Sequence, residues 1–520
     1  MKKIMTWFLS FTMILCGCSQ KIEEQPHPSL SQEGIQIELS NDEIIVEGAP
    51  ITNDASQAVY CANDIVYYEA GKDFTYGEGS EQDAHEESEA LQHKVVHITK
   101  AGTYEVSGTL SQGQIAIDLG EEAQEDEKAV VNLILNNVDI TCEVAPAIIF
   151  YQVYECGDNS EENATKDVDT SKAGANVIIA DDSINNVNGS YVAKIYKSYE
   201  LNEDGTEVVY SKKLHKYDAA FYSKMSMNVN GGENGNGILN IKAENEGLDS
   251  ELHLTINGGV INITSGNDGI NTNEDNVSVT TLNGGALNIK CDGSTGEGDG
   301  IDSNGWLVIN GGTLNAQACA TSGDAGIDSD KGIYLNGGSI CATGNMLDHI
   351  AGGSQTYAVF QFANRQSGKQ TYTLKDSEEK VVVSCTPEND FTYMIITGDE
   401  LVEGEYTFYQ DNQQLAASTG MQGGMMHGMP PEGFEQGERP EPLQGFEQGE
   451  RPEPPNGMEP PEWSEEFGER PELPEGFEPP QGMEPGRRPE QNGMQVPTEV
   501  SPIFKIVAGQ NQFSFVDVKE

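Results

Sequence analysis

Positive charge is what this sequence has least of. Lys and Arg number 29 against 85 Asp and Glu over 520 residues, a formal net charge of −56, and no arginine occurs before Arg365. A chain this acidic has nothing with which to attract a phosphate backbone, so nucleic acid is excluded as a partner. Aromatic residues make up 7% and hydrophobic residues 36%, while glycine reaches 58. These proportions argue against a large helical core and for turn-rich β structure. No CxxC pair occurs among the nine cysteines, which removes zinc-ribbon and thioredoxin-like chemistry. GxSxG, P-loop and dinucleotide fingerprints in a strand-to-helix context are also missing.

A long apolar run occurs at the start, where Lys2 and Lys3 precede Ile4 to Leu15 and the stretch ends Leu15-Cys16-Gly17-Cys18. Residues 1–18 read as an export signal, too short to span a bilayer comfortably. The ending resembles a bacterial lipobox, which makes Cys18 the lipid anchor and residues 19–40 a tether. The membrane is then reached through this lipid only, and the protein is expected on the extracellular face of the bacterial membrane or cell surface.

Internal repeats decide the architecture. Asn-Gly-Gly recurs at Asn230, Asn257, Asn283, Asn310 and Asn336, a solenoid spacing. Alternating apolar residues precede each copy (Leu252, Leu254, Ile256) and follow it (Ile261, Ile263), so each repeat is two strands bent at a glycine corner. A second corner reads EGLDS from Glu246, DGINT from Asp268, DGIDS from Asp299 and AGIDS from Ala325, with a degenerate AAFYS from Ala219. Stacked about 4.8 Å apart, such coils make a parallel β-helix, with asparagine ladders at the first corner and left-handed backbone that Asn and Gly tolerate.

The acidic corner places Glu246, Asp268 and Asp299 in one column and Asp249, Asn271, Asp302 and Asp328 in another. Carboxylates at this spacing repel unless hydrated or bridged. Oxygen-only clusters of Asp and Asn on glycine-bent loops are what Ca²⁺ selects, and these seven residues are the candidate metal ligands; a solvated acidic turn is the plainer alternative. Aligning Asn310 with Asn336 pairs Leu307 with Ile333 and Val308 with Tyr334. Trp306 and Tyr334 therefore turn away from the inward set onto one outer face, one coil apart. They form either a stacking platform for sugar rings or a surface covered by the C-terminal strands or the Gly/Pro-rich loop.

The ordered motifs AGTYEVSGTL, VVNLILNNVDI, IIADDSINNV and AAFYSKMSMNVNGG, followed by the DGI and INGG repeats, resemble the bacterial cell-surface carbohydrate-binding β-helix family, whose fold is similar to that of pectate lyases. The resemblance covers residues 90 to 415. It implies an all-β, right-handed parallel β-helix, bound calcium, and affinity for plant-wall polysaccharide such as polygalacturonate or a cellulose-like glucan, without lyase chemistry as the rule. The third coil departs by four extra residues before Asn283, and Ala325 replaces the first acid of the last corner.

A polysaccharide lyase or hydrolase is the rival reading, and a structural adhesin the third. The absence of arginine from the repeats excludes an arginine base there and leaves Lys331, beside Asp328 and Asp330, as the candidate; a surface lysine on a turn is the plainer account. No catalytic residue is assigned, and the chain is read as a binding protein. Along the chain this gives an N-terminal β and loop region over 41–89, the β-helix over 90–355 and capping β strands over 356–417. A disordered low-complexity Gly/Pro/Glu-rich loop over 418–498 and closing strands over 499–520 follow.

Overall fold

The structure is a computed structural model that describes residues 34–418 and 500–518. Residues 1–33, with Cys18, and residues 419–499, which hold nearly all of the low-complexity segment, lie outside the described residues.

Three columns of strands run through the repeats. Glu246–Ser250, Ile270–Thr272 and Ile301–Ser303 pair in parallel, coil on coil. So do His253–Ile256, Val279–Leu282, Trp306–Ile309 and Gly332–Leu335, and so do Val260–Ser265, Ala286–Cys291, Thr313–Gln317 and Ser339–Gly344. The described residues are nearly all in β strands and their connections, with a long and mostly parallel sheet, an arrangement consistent with a β-helix. Alternation in the sequence produces this directly: Leu239, Ile261, Leu287, Leu314 and Ile340 stand in register and are buried. Each such side chain contributes about 1.5–3 kcal/mol of transfer free energy.

The Asn-Gly-Gly corners stack as expected, with Asn257, Asn283, Asn310 and Asn336 each donating from Nδ2 to Oδ1 of the asparagine one coil earlier at 2.8–2.9 Å. Left-handed backbone at this corner belongs to the second glycine (Gly259, Gly285, Gly312 and Gly338, φ between 85° and 94°), not to the asparagine. A second ladder runs through Asn186, Asn240, Asn262, Asn288 and Asn315.

Three features depart from the sequence expectation. Residues at the end of the expected tether form a strand, Ile35–Leu39, which pairs in parallel with Gly102–Leu110 and buries Ile37 and Leu39. Parallel stacking therefore starts well before residue 90. An antiparallel hairpin, Val192–Leu201 with Val208–Tyr217, leaves the repeats between two coils. At the far end Phe391–Thr397 runs antiparallel to both Ser339–Gly344 and Tyr357–Gln366, covering the edge that another chain could extend. That cap has its own aromatic core, in which Phe360 stacks on Phe408 at 4.3 Å.

Candidate functional site

The outer face of the first column carries the acids. Asp249, Asn271 and Asp302 are register partners, and Asp328 donates its N–H to the carbonyl of Ile301 beside Asp302. Toward the first coils the same column continues as Tyr222, Ile149, Ala116 and His97. Glycine lets the acidic coils approach this closely: a Cβ on Gly269 would lie 2.6 Å from the carbonyl oxygen of Gly300.

At one end of the face, oxygens of Asp218, Glu246 and Asp249 lie within 4.8 Å of one another, all three buried. Asn271 Nδ2 donates to Glu246 Oε1 at 3.2 Å. Asn273 Nδ2 reaches both oxygens of Asp249 at 2.8 and 3.0 Å, and Lys216 Nζ pairs with Asp218 Oδ2 at 2.6 Å. Glu246 Oε2 and Asn271 Oδ1 are buried without a partner. Burial, then the neighbouring carboxylates, push Glu246 and Asp249 well above the ordinary range, and Asp218 is raised by burial as well. With all three carboxylates ionised against one lysine the site would carry two unbalanced negative charges beside an orphaned oxygen, a donor set that fits a divalent, oxygen-preferring cation.

The remaining predicted ligands continue along the face without joining this cluster. Asp268 Oδ1 accepts from the N–H of Asp299, and Asp299 Oδ1 from that of Ala325, both at 2.6 Å. Each of these two acids thus caps the backbone of the next coil, and Ala325, whose N–H is capped in this way, ends the series. Burial with surrounding acids raises Asp268, Asp302 and Asp328 to about 7 and Asp299 to about 9. Asp218 escaped sequence reasoning because it stands one position ahead of the register partner of Glu246, which is Ala219; the degenerate corner at Ala219 was the available signal.

A cleft of about 300 Å³ opens on the same face, lined by Tyr151, Tyr217, Leu214, His215 and Lys224. The foot of the hairpin supplies three of these, and Tyr217 meets both Tyr151 and Tyr222 edge-on at 5.5 and 5.4 Å.

Trp306 and Tyr334 do lie on one outer face, but diagonally. Trp306 pairs with Gly332 and Tyr334 with Val308, both rings are half-buried, and Lys166 Nζ lies 5.1 Å from the Tyr334 ring centroid. Among the described residues, cover over Tyr334 comes from the segment after residue 160; the Gly/Pro-rich loop lies outside them.

A family model described as carbohydrate-binding domain-containing protein matches residues 92–377. The chain belongs to this family. Within the matched span lie all the acids of the first-column face and both aromatic residues. Among solved structures this family member is similar to the polysaccharide lyase-like protein from C. thermocellum, in a gadolinium derivative. The likeness is 19% identity with a TM-score of 0.35, over 62% of this chain and 93% of that one. No curated protein matches.

Proposed function

We propose that this carbohydrate-binding protein holds acidic polysaccharide such as polygalacturonate through calcium, as a right-handed β-helix lipid-anchored by Cys18 on the bacterial surface. The observation that carries the reading is the buried Asp218, Glu246 and Asp249 cluster with its unpartnered Glu246 oxygen. These three residues would hold the cation, and Asn271 Oδ1 stands free beside them. A bound cation supplies positive charge that a uronate carboxylate can share, which a protein of net charge −56 otherwise repels. Tyr217 and Tyr151 offer the neighbouring cleft apolar ring faces, and Lys224, which has no ion pair among the described residues, adds a positive charge.

Binding without bond cleavage is the favoured reading. Lys331, the candidate base, lies 4.0 Å from Glu161, and Lys213 is paired with Glu251 at 2.9 Å. Burial opposes the charge of Lys216, yet Asp218 holds its pKa above the ordinary lysine value, so it is a poor proton acceptor. Retention on polygalacturonate should require calcium, vanish in EGTA and vanish in Asp249→Ala, with no unsaturated uronate released. Equal retention in EGTA overturns the calcium bridge; release of unsaturated product overturns the binding-only reading.

A further inference from the structure

The outer face of the second strand column forms a larger cleft, of about 860 Å³. Its floor is a register column, Asn132, Asn176, Asn228, Thr255, Thr281 and Val308, one residue from each of six successive strands. Five strand spacings of about 4.8 Å give the column a length of roughly 24 Å; Asn176, Asn228 and Thr255 are buried in its middle, and Asn132 and Thr281 are half-buried. The Asn-Gly-Gly ladder, from Asn230 to Asn336, forms one wall. The other is the segment around 166–173, which leaves the coils after Gln152 and folds back over them. Thr170 fixes it there, donating to Asn228 Oδ1 or Thr255 Oγ1, each 2.7 Å away, and accepting from Asn228 Nδ2 through its carbonyl at 2.8 Å. Tyr334 is next in the floor column after Val308, and Lys166 over its ring marks that end.

The ladder gives this cleft a repeating chemistry. Each Nδ2 uses one N–H on the preceding coil, leaving a second N–H and a lone pair of Oδ1 per coil. Asn283, Asn310 and Asn336 are exposed, so these groups face the open cleft. A sugar hydroxyl both donates and accepts and matches such a row; a carboxylate only accepts. The opposite wall has no free positive charge to offer a polyanion, because Lys166 is paired with Asp167 at 2.6 Å and Lys172 with Glu127 at 3.8 Å.

We propose that this cleft is a second glycan site, for a neutral linear polysaccharide, acting without calcium and separate from the acidic face. The inference rests on the carbohydrate-binding reading of the protein. It is tested with a soluble β-linked glucan hexasaccharide and with polygalacturonate, each by calorimetry in calcium and in EGTA. The neutral oligosaccharide should bind equally in both buffers. Thr281→Arg, which fills the floor from a half-buried position, should weaken it by about tenfold or more with the melting temperature unchanged, while Thr281→Ser binds as the wild type does. Asp249→Ala should leave the neutral ligand untouched. Unaltered affinity in Thr281→Arg, or loss of the neutral ligand in EGTA, overturns the cleft assignment. Binding of polygalacturonate but of no neutral glycan overturns the cleft and leaves the acidic face standing; binding of neither overturns the carbohydrate reading itself.

Discussion

Asn283 donates from Nδ2 to Asn257 Oδ1 at 2.9 Å and accepts from Asn310 Nδ2 at 2.9 Å, so one amide closes two coil-to-coil bonds at once. Replacing it with alanine strands a donor above and an acceptor below. Both neighbours can reach water, so the cost of Asn283→Ala should be about 1–2 kcal/mol and not the full penalty of buried orphans. Urea denaturation should show a lower midpoint with an unchanged slope; an unchanged midpoint would make the ladder dispensable for stability.

Calcium should raise the melting temperature and EGTA lower it. At a hundredfold excess over Kd the native state gains about 2.7 kcal/mol. Asp249→Asn separates this from a general acidic effect: burial already disfavours the charged form of this carboxyl, so in EGTA the variant should be no less stable than the wild type, yet it should lose the response to calcium. A calcium response kept intact in this variant would move the ion elsewhere.

Without calcium, stability should fall as pH rises. Asp302 and Asp328 titrate at about 7 and Asp299 at about 9 in the fold, against an ordinary value of 3.8. The folded state therefore binds protons more tightly than the unfolded chain. That stabilisation is complete below about pH 4 and is lost as pH climbs through 7 to 9. Urea midpoints in EGTA between pH 5 and 8.5 should decline, and Asp302→Asn should flatten the decline.

Gly269 should be intolerant of alanine and Gly323 indifferent to it. A Cβ at Gly269 would lie 2.1 Å from Ile289 Cγ2 and 2.6 Å from the Gly300 oxygen, whereas one at Gly323 meets nothing within 4 Å. Overpacking of this kind costs about 1–3 kcal/mol. Thermal denaturation should place Gly269→Ala well below the wild type and Gly323→Ala beside it.

The coil stack was legible because its determinants are local and repeated: a period-two apolar pattern and the Asn-Gly-Gly corner give the register of Leu307 with Ile333 directly. The same alignment set Asn271 beside Asp302. Asp218 was not legible, since it enters from a corner whose own acid is missing. Neither was the larger cleft, because the segment that walls it has no periodicity and is positioned by the tertiary bonds of Thr170 to Asn228 and Thr255. The hairpin over 192–217 interrupts the repeat count, and its foot at Tyr217 supplies aromatic lining that no spacing rule points to.

Ser418 pairs with Val500 across neighbouring antiparallel strands, and the last strand, Gln510–Val518, lies between Tyr357–Gln366 and Gln413–Ser418. Residues 419–499 thus depart from and rejoin the cap at a single rung. A protease cut within them would leave two polypeptides held together by strand pairing, by the packing of Phe504, Ile506, Phe513 and Val516, and by side-chain bonds such as that of Asn511 Nδ2 to the Tyr357 carbonyl. The cap is in this sense a natural split protein: its C-terminal fragment could be supplied in trans, and the finished end of the coil stack rebuilt from two pieces.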